Sequence, residues 1–216
     1  MKLIKFKLNV VALLATLISV LMIGCSDQYK AAEKEGMVFS PDGTFLIKCN
    51  NPYIVKAVIP KGVITIEPNA FKNCSHLQSV TLPNSVTTIG ERAFAGCTSL
   101  QSVIISNSVT TIERWTFDNC TSLQSVTIGN SVTTIEPWAF GNCTSLQSVK
   151  IPDSVTEIES FAFEKCTSLQ RVTIPNSVTT IERNAFYNCT SLKEVRVPRN
   201  CKIEDYSFPD NCKVLR

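Results

Sequence analysis

The feature that most constrains this sequence is a repeat of 23 residues, marked by a cysteine at a fixed place in each copy. The repeated cysteines are at positions 74, 97, 120, 143, 166, 189 and 212. The units begin at the apolar residues Ile54, Leu77, Leu100, Leu123, Leu146, Leu169 and Leu192, so seven units occupy residues 54–214. This period predicts a solenoid, because a single coil cannot bury its apolar face without neighbours.

Each unit contains two apolar phrases followed by a phenylalanine and the cysteine. In the unit that starts at Leu100, Val103 and Ile105 alternate with other residues, which predicts a short strand. An Asn-Ser turn follows, and Val109 and Ile112 then point inward. Stacked copies predict an α/β-type solenoid with a parallel sheet on one face and short turns or single helical turns on the other.

The ends of such a stack expose apolar surface and unpaired strand edges, so each end needs a cap. Residues 37–53 contain two apolar stretches around Pro41-Asp42-Gly43, which predicts a capping hairpin. The last unit departs from the pattern: Cys201 replaces a valine, Ile203 arrives one residue early, and Pro209-Asp210 displaces the phenylalanine from its position. We expect this unit to be the second cap.

The N-terminus has the features of an export signal. Lys2, Lys5 and Lys7 precede an uncharged apolar run of 16 residues, from 8 to 23. The run ends in Leu-Met-Ile-Gly-Cys25, which resembles the bacterial lipoprotein box. This resemblance implies a lipoprotein signal peptide over 1–24, lipidation of Cys25 and attachment to the membrane through the lipid. A retained transmembrane anchor is the alternative, but the run is short for one. The polar residues 25–36 are then expected to be a tether.

Charge argues against nucleic acid as a partner. Three of the 21 basic residues and none of the 18 acidic residues lie in the first 24 positions. The remaining chain therefore carries equal numbers of basic and acidic residues, without the positive charge that nucleic acid would require.

The ten cysteines do not predict a disulfide framework, although the chain is expected to be exported. Repeated cysteines in an in-register stack would have their Cβ atoms about 4.8 Å apart, which is wide for a disulfide. We expect a ladder of buried free thiols rather than disulfides or a metal site. Cys49, Cys201 and Cys212 lie near the caps, and the sequence leaves their redox state open.

The sequence offers no catalytic, metal or cofactor site. His76 is the single histidine, and it occupies a turn position where the next unit has Ser99. The recurrent glutamates could form a cation site, but a solvated stripe is favoured because calcium-binding Asp-x-Asp loops are lacking. These glutamates are at positions 67, 113, 136, 159 and 182. We therefore expect a non-enzymatic protein.

Aromatic residues provide one candidate binding surface. Two positions before the repeated phenylalanine, three consecutive units carry Trp115, Trp138 and Phe161. Stacked coils would align these rings in an aromatic stripe, which could bind a protein or a glycan. The alternative is that the rings only cover neighbouring apolar surface.

The outward positions of the strands provide a second candidate. Most of them carry serine or threonine, which suits a polar partner or an inert solvated surface. Ile104 is the apolar exception, and Lys150, Arg171 and Arg196 are the cations of this face. These four residues are the candidate ligand-binding residues of the strand face.

The phrase Leu-x-x-Val-x-Ile-Pro-Asn-Ser-Val-Thr-x-Ile-x-x-x-Ala-Phe-x-x-Cys-x-x-Leu resembles the BspA-type leucine-rich repeat. The resemblance covers residues 54–214 and implies a cell-surface or secreted protein, several relatives being adhesins toward matrix proteins, host cells or other bacteria. We therefore expect a lipid-anchored, surface-exposed protein of the bacterial envelope, at the outer membrane, that binds a protein. The alternatives are a glycan-binding accessory protein and a structural spacer without a soluble ligand.

Overall fold

A computed structural model describes residues 26–216, which form one solenoid with a continuous hydrophobic core. The predicted signal peptide and Cys25 lie outside the described residues. Each 23-residue unit makes one coil, and equivalent residues of successive coils lie beside each other. The predicted parallel stack of seven coils is confirmed.

One face of the solenoid is a parallel sheet of three-residue strands, called here the long-strand sheet. Its central residue is buried in most coils and the flanking residues point outward, as the alternating pattern predicts. The strands are β3 (Lys56–Val58), β5 (Ser79–Thr81), β7 (Ser102–Ile104), β9 (Ser125–Thr127), β11 (Ser148–Lys150) and β13 (Arg171–Thr173). Beyond them β15 (Glu194–Arg196) pairs with β17 (Lys213–Leu215), also in parallel.

A second face carries two-residue strands, which the sequence analysis did not predict. They begin after the Asn-Ser turn, where a Thr-Ile pair is long enough for parallel pairing with the next coil. This short-strand sheet has one group, β4 (Thr65–Ile66) and β6 (Thr88–Ile89), and a second group, β8 (Thr111–Ile112), β10 (Thr134–Ile135), β12 (Glu157–Ile158), β14 (Thr180–Ile181) and β16 (Lys202–Ile203). The return segments between this sheet and the next coil are turns rather than helical turns.

The core is filled by columns of identical side chains. Phe71, Phe94, Phe117, Phe140, Phe163 and Phe186 are fully buried, and neighbouring rings are parallel with centroids 5.1–5.5 Å apart. Phe208 continues the column, 5.2 Å from Phe186, although the last unit is shorter by one residue before it. Ile203 likewise pairs with Ile181, so the altered last unit still closes the stack in register.

The repeated cysteines satisfy buried backbone carbonyls. The thiol of Cys143 donates to the carbonyl of Phe117 at 3.3 Å, and Cys97, Cys120, Cys166 and Cys189 make the same bond to the phenylalanine of the preceding coil at 3.1–3.3 Å. The thiols of all nine cysteines in residues 26–216 are free. A cysteine at this place is a small apolar residue that also supplies one hydrogen-bond donor.

The N-terminal end is capped by a hairpin and a helix. In the hairpin, β1 (Met37–Phe39) pairs antiparallel with β2 (Phe45–Cys49), and β2 extends the short-strand sheet through β4. Residues 26–34 are helical, whereas the sequence analysis assigned 25–36 to a tether. The helix is held because Ala32 is buried in the core and the Tyr29 hydroxyl donates to Gly43 at 2.7 Å. This segment is therefore part of the folded end of the solenoid.

We expect Cys143→Ala to lower the free energy of unfolding by about 1–3 kcal/mol, because it leaves the buried carbonyl of Phe117 without its donor. Urea unfolding followed by circular dichroism measures the change. Cys212→Ala, at a half-buried cysteine, is the matched control and should have a smaller effect. Equal effects of the two substitutions would contradict the proposed role of the thiol bond.

Candidate functional site

The aromatic stripe forms one continuous stack along the solenoid. The rings of Trp115 and Trp138 have centroids 5.6 Å apart, and those of Trp138 and Phe161 are 4.3 Å apart and nearly parallel. The guanidinium of Arg92, from the preceding coil, lies 3.9 Å from the Trp115 ring centroid. All four side chains are half-buried. The stripe therefore includes a cation that the sequence analysis did not assign to it.

The backbone under the stripe is in the left-handed conformation, in which large L-residues are rare. Trp115, Trp138 and Phe161 have φ values of 54°, 55° and 62°. The first and sixth coils place Asn69 and Asn184 at this position, and asparagine tolerates the conformation best among non-glycine residues. Each aromatic residue here costs about 1–2 kcal/mol of backbone energy. Ring stacking offsets part of this cost, at roughly 0.5–1.5 kcal/mol for each pair.

Polar groups surround the rings. The indole nitrogen of Trp138 donates to the carboxylate of Glu164 at 3.0 Å. The amide of Asn142 donates to Asp118 at 3.0 Å, and burial raises the pKa of the Asp118 carboxyl. A Cβ atom at Gly141 would lie 2.9 Å from the Asp118 carboxylate and 3.1 Å from the Trp138 ring. Glycine at this place therefore leaves room for both side chains.

The stacking decides which part of each ring can contact a partner. The flat faces of Trp115 and Trp138 pack against neighbouring rings or Arg92, so the ring edges point toward solvent. An edge surface flanked by a cation and carboxylates suits protein groups better than a sugar that must stack on a ring face.

The strand-face candidates lie on a different surface, the long-strand sheet. Ile104 is 68% exposed, and Lys150, Arg171 and Arg196 are exposed on the same sheet. Ile104 borders a shallow depression of about 210 Å³ together with Ser79, Thr81 and Ser102. The structure does not bring these residues together with the aromatic stripe, because the stripe belongs to the turns that follow the short-strand sheet.

A third surface was missed by the sequence analysis. A groove of about 600 Å³ lies between helix 26–34 and β3, with Val55 and Val58 on the strand side. Val55, Val58 and Tyr53 are 48%, 51% and 71% exposed. The signal was present in the sequence, because Val58 is at the same strand position as Ile104, which was singled out for its apolar character.

The ends of the thiol ladder differ from its middle. Cys49, on β2, is half-buried, and its thiol donates to the carbonyl of Asn51 at 3.6 Å, the same carbonyl to which the thiol of Cys74 in the first repeat donates at 4.0 Å. The Cys74 thiol next to it lowers the pKa of Cys49 to about 7. By contrast, burial raises the pKa of Cys120 and Cys166 well above the usual thiol value. Cys49 therefore combines a lowered thiol pKa with partial exposure to solvent.

We expect Cys49 to react with iodoacetamide at a rate that rises through about pH 7, because the thiolate is the reactive form. Cys120 and Cys166 should stay unmodified in the folded protein. Mass spectrometry of tryptic peptides over a pH series measures each site, and Cys49→Ser is the control. A midpoint near pH 9 at Cys49 would contradict the assignment.

The recurrent glutamates form a half-buried stripe on the turn side. Burial, and then the negative charge of Glu136, raise the pKa values of Glu113 and Glu159. Arg114 partly balances this charge through a 3.4 Å contact with Glu136. Within residues 26–216, no three potential metal-ligating side chains converge on a point.

We expect Glu136→Gln to raise the free energy of unfolding at neutral pH. A raised carboxyl pKa in the folded state means that stability is fully present below the ordinary glutamate pKa and falls as pH rises through the raised value. Removing the central charge lessens this loss at Glu113 and Glu159, whereas the exposed pair with Arg114 contributes little.

Urea midpoints at pH 7 and at about pH 4, near the ordinary glutamate pKa, measure the effect of Glu136→Gln. The gain at pH 7 should shrink at the lower pH, and Glu33→Gln on the exposed side of helix 26–34 is the control. A variant less stable than the wild type at pH 7 would show that Glu136 acts mainly through Arg114.

The stacked coils, the parallel sheet and the columns of leucine, valine, isoleucine and phenylalanine define a leucine-rich-repeat protein. The chain belongs to the BspA-type leucine-rich repeat family, whose model matches residues 48–138 and 119–216. The expected family is confirmed.

Solved structures of bacterial leucine-rich-repeat proteins resemble this chain. One from Bacteroides ovatus is 32% identical, with a TM-score of 0.72 over 84% of this chain and 49% of its own. The Treponema pallidum leucine-rich-repeat protein is 30% identical, with a TM-score of 0.72 over 81% of this chain and 87% of its own. One from Eubacterium ventriosum is 25% identical, with a TM-score of 0.73 over 83% of this chain and 49% of its own.

The chain thus spans about half the length of the B. ovatus and E. ventriosum proteins. A search of the curated proteins found no significant match. Among the described helices, none has the length and apolar character needed to cross a bilayer.

Proposed function

We propose that this chain is a non-enzymatic binding protein of the bacterial cell envelope, anchored by a lipid on Cys25 and displayed at the cell surface. Its partner is a protein, of the matrix, a host cell or another bacterium, and the aromatic stripe with Arg92 is the contact surface. The lipoprotein-like N-terminal sequence supports the anchor, and membership of the BspA-type family supports the surface location.

The observation that carries the proposal is the presence of large rings on a backbone that favours asparagine. The chain itself shows that Asn69 and Asn184 satisfy this position in other coils, so the fold does not require an aromatic residue there. Residues that cost backbone energy without being needed for the fold are expected at functional sites. Tryptophan and arginine are also the residues enriched among the energetically dominant contacts of protein interfaces.

A protein partner agrees better with the geometry than a glycan does. Sugar rings bind by stacking on exposed aromatic faces, whereas the faces of this stripe are largely used for stacking within the chain. A spacer without a ligand would leave the backbone cost at three successive coils unexplained.

The test is a variant in which Trp115→Asn, Trp138→Asn and Phe161→Asn are combined. Asparagine is native to this position in two coils, so the variant should keep the fold and show this by its circular dichroism and cooperative melting. Residues 26–216, which contain both caps, are used for wild type and variant.

We expect the wild type to bind at least one member of an array of matrix proteins, bacterial surface proteins and glycans, and the variant to bind it at least tenfold more weakly. Phe45→Ala removes an exposed aromatic residue on β2, away from the stripe, and should bind like the wild type. Equal binding by the triple variant rules out the stripe as the site. Binding of glycans alone would favour the accessory role, and no binding at all would favour the spacer.

A further inference from the structure

The two sheets of the solenoid end differently at the N-terminus. The hairpin extends the short-strand sheet, because β2 pairs with β4. Among residues 26–216 the long-strand sheet has no such extension, and β3 is its terminal strand. One sheet edge is therefore left open beside the cap.

The hydrogen bonds of β3 show which of its backbone groups are free for pairing. The carbonyl of Val55 accepts from Gln78 at 2.8 Å, and the amide of Ile59 donates to Thr81 at 3.1 Å. Residues 55, 57 and 59 therefore face β5. The amides and carbonyls of Lys56 and Val58 point to the opposite side, where the described part of the chain provides no further strand.

The open edge forms one wall of the 600 Å³ groove, and the other is formed by Ala31 and Ala32 of helix 26–34 and by Glu35 in the turn that follows it. The helix is fixed in place, since the side chain of Gln28 accepts a bond from the Lys61 amide at 3.2 Å. The groove volume falls within the range of ligand sites, roughly 300–1,000 Å³. An edge strand facing a helix across an apolar groove can accept an extended peptide as an added strand.

We infer that the groove between helix 26–34 and β3 binds an extended peptide segment of a protein partner, which pairs with β3 and carries an acidic residue opposite Lys56. Lys56 is exposed at an outward position of β3. The other end of the solenoid shows that acidic and basic residues pair at this strand position. There Glu194 lies between the coils that carry Arg171 and Lys213, and it contacts Lys213 at 4.0 Å. The residue after the acid is small and apolar, because its side chain points to the same inner side of the sheet as Ala57, which is buried in the core together with Ala32 of the helix.

A second copy of this chain is a poor occupant. Head-to-tail stacking would place β17 against β3 and continue the sheet from one molecule to the next. In that register Lys213 would lie opposite Lys56, and like charges at opposite strand positions are destabilising. The charge at this edge therefore disfavours self-association and favours an acidic peptide.

The inference rests on the proposed protein-binding role, but it uses a surface separate from the aromatic stripe. The test uses a direct probe of the groove, so its result does not depend on the array or on the stripe variant. The probe is a fluorescent, terminally blocked peptide that copies residues 191–198 of this chain, a natural parallel strand with Glu194 at the matching position.

Fluorescence anisotropy of the probe with residues 26–216 should show saturable binding. Two altered probes test the pairing: N-methylation at Val195 removes the amide that would donate to β3, and Glu194→Lys reverses the charge opposite Lys56. Each should weaken binding at least tenfold. Deuterium exchange should slow at the amides of Lys56 and Val58 when the probe is bound.

Two protein variants complete the test. Val58→Pro removes an outward donor that the fold does not use and should abolish binding, and Lys56→Glu should weaken the original probe but restore the Glu194→Lys probe. Lys72→Glu makes the same charge change on the return turn of the first repeat and serves as the control. Circular dichroism checks that each variant is folded.

No binding at millimolar probe, or equal binding of the N-methylated probe, would overturn the inference. Sedimentation of the protein alone tests the other possible occupant, a second copy of the chain. If the protein associates, if Val58→Pro abolishes the association and if the probe does not bind, the groove binds a second copy. If the probe binds but no ligand of the aromatic stripe is found, the stripe proposal fails and the groove proposal stands. If the stripe binds a ligand but the probe does not bind, the groove proposal fails.

Discussion

Everything in this molecule depends on the alignment of identical residues in successive coils. The phenylalanine rings repeat at 5.1–5.5 Å, which is close to the spacing of paired strands, so backbone hydrogen bonding and side-chain packing impose the same repeat distance. A change in the length of a unit would disturb both unless a turn absorbed it. The last unit shows such an adjustment, because it is one residue shorter before Ile203 and still keeps Ile203 and Phe208 in register with Ile181 and Phe186.

The same alignment determines what the surface can do. A residue at a given turn position meets its equivalent in the next coil, so a single aromatic substitution has little effect but three in succession produce a stack. Like charges are aligned by the same rule, so the charge of Glu136 adds to the effect of burial, which is the larger cause of the raised pKa values of Glu113 and Glu159. The surface of this solenoid therefore consists of columns of equivalent residues from successive coils. A function is expected where a column carries residues other than those that its backbone conformation favours.

Much of the fold follows from the sequence, because the repeat period and the alternation at Val103 and Ile105 specify coils and a parallel sheet. The second sheet was missed because a Thr-Ile pair is too short to show alternation, and its pairing exists only between coils. Helix 26–34 was missed because its composition is polar, and the contacts of Gln28, Tyr29 and Ala32 that hold it on the cap are made to residues distant in the sequence.

The candidate site was predicted only in part, because the repeat specifies which residues are aligned but not the conformation of the turns. Regular spacing is enough to align Trp115, Trp138 and Phe161, so the stripe could be proposed before any coordinates. The repeat also places Arg92 one unit before Trp115, but the left-handed backbone and the packing of the Arg92 guanidinium on the Trp115 ring depend on turn geometry, which the repeat pattern does not reveal. The open edge of β3 depends on which sheet the hairpin joins, and nothing in the hairpin sequence specifies that choice.

The thiol ladder has a consequence for where this protein can work. Because the central cysteines are buried and donate to backbone carbonyls, the interior contains no disulfide that must be formed by oxidation, and its sulfur atoms are shielded from oxidants in solution. Half-buried thiols are found only toward the ends among the described residues, at Cys49 and Cys212. Oxidative damage should therefore begin at the caps, and the middle coils should keep their structure in reducing and oxidising surroundings alike.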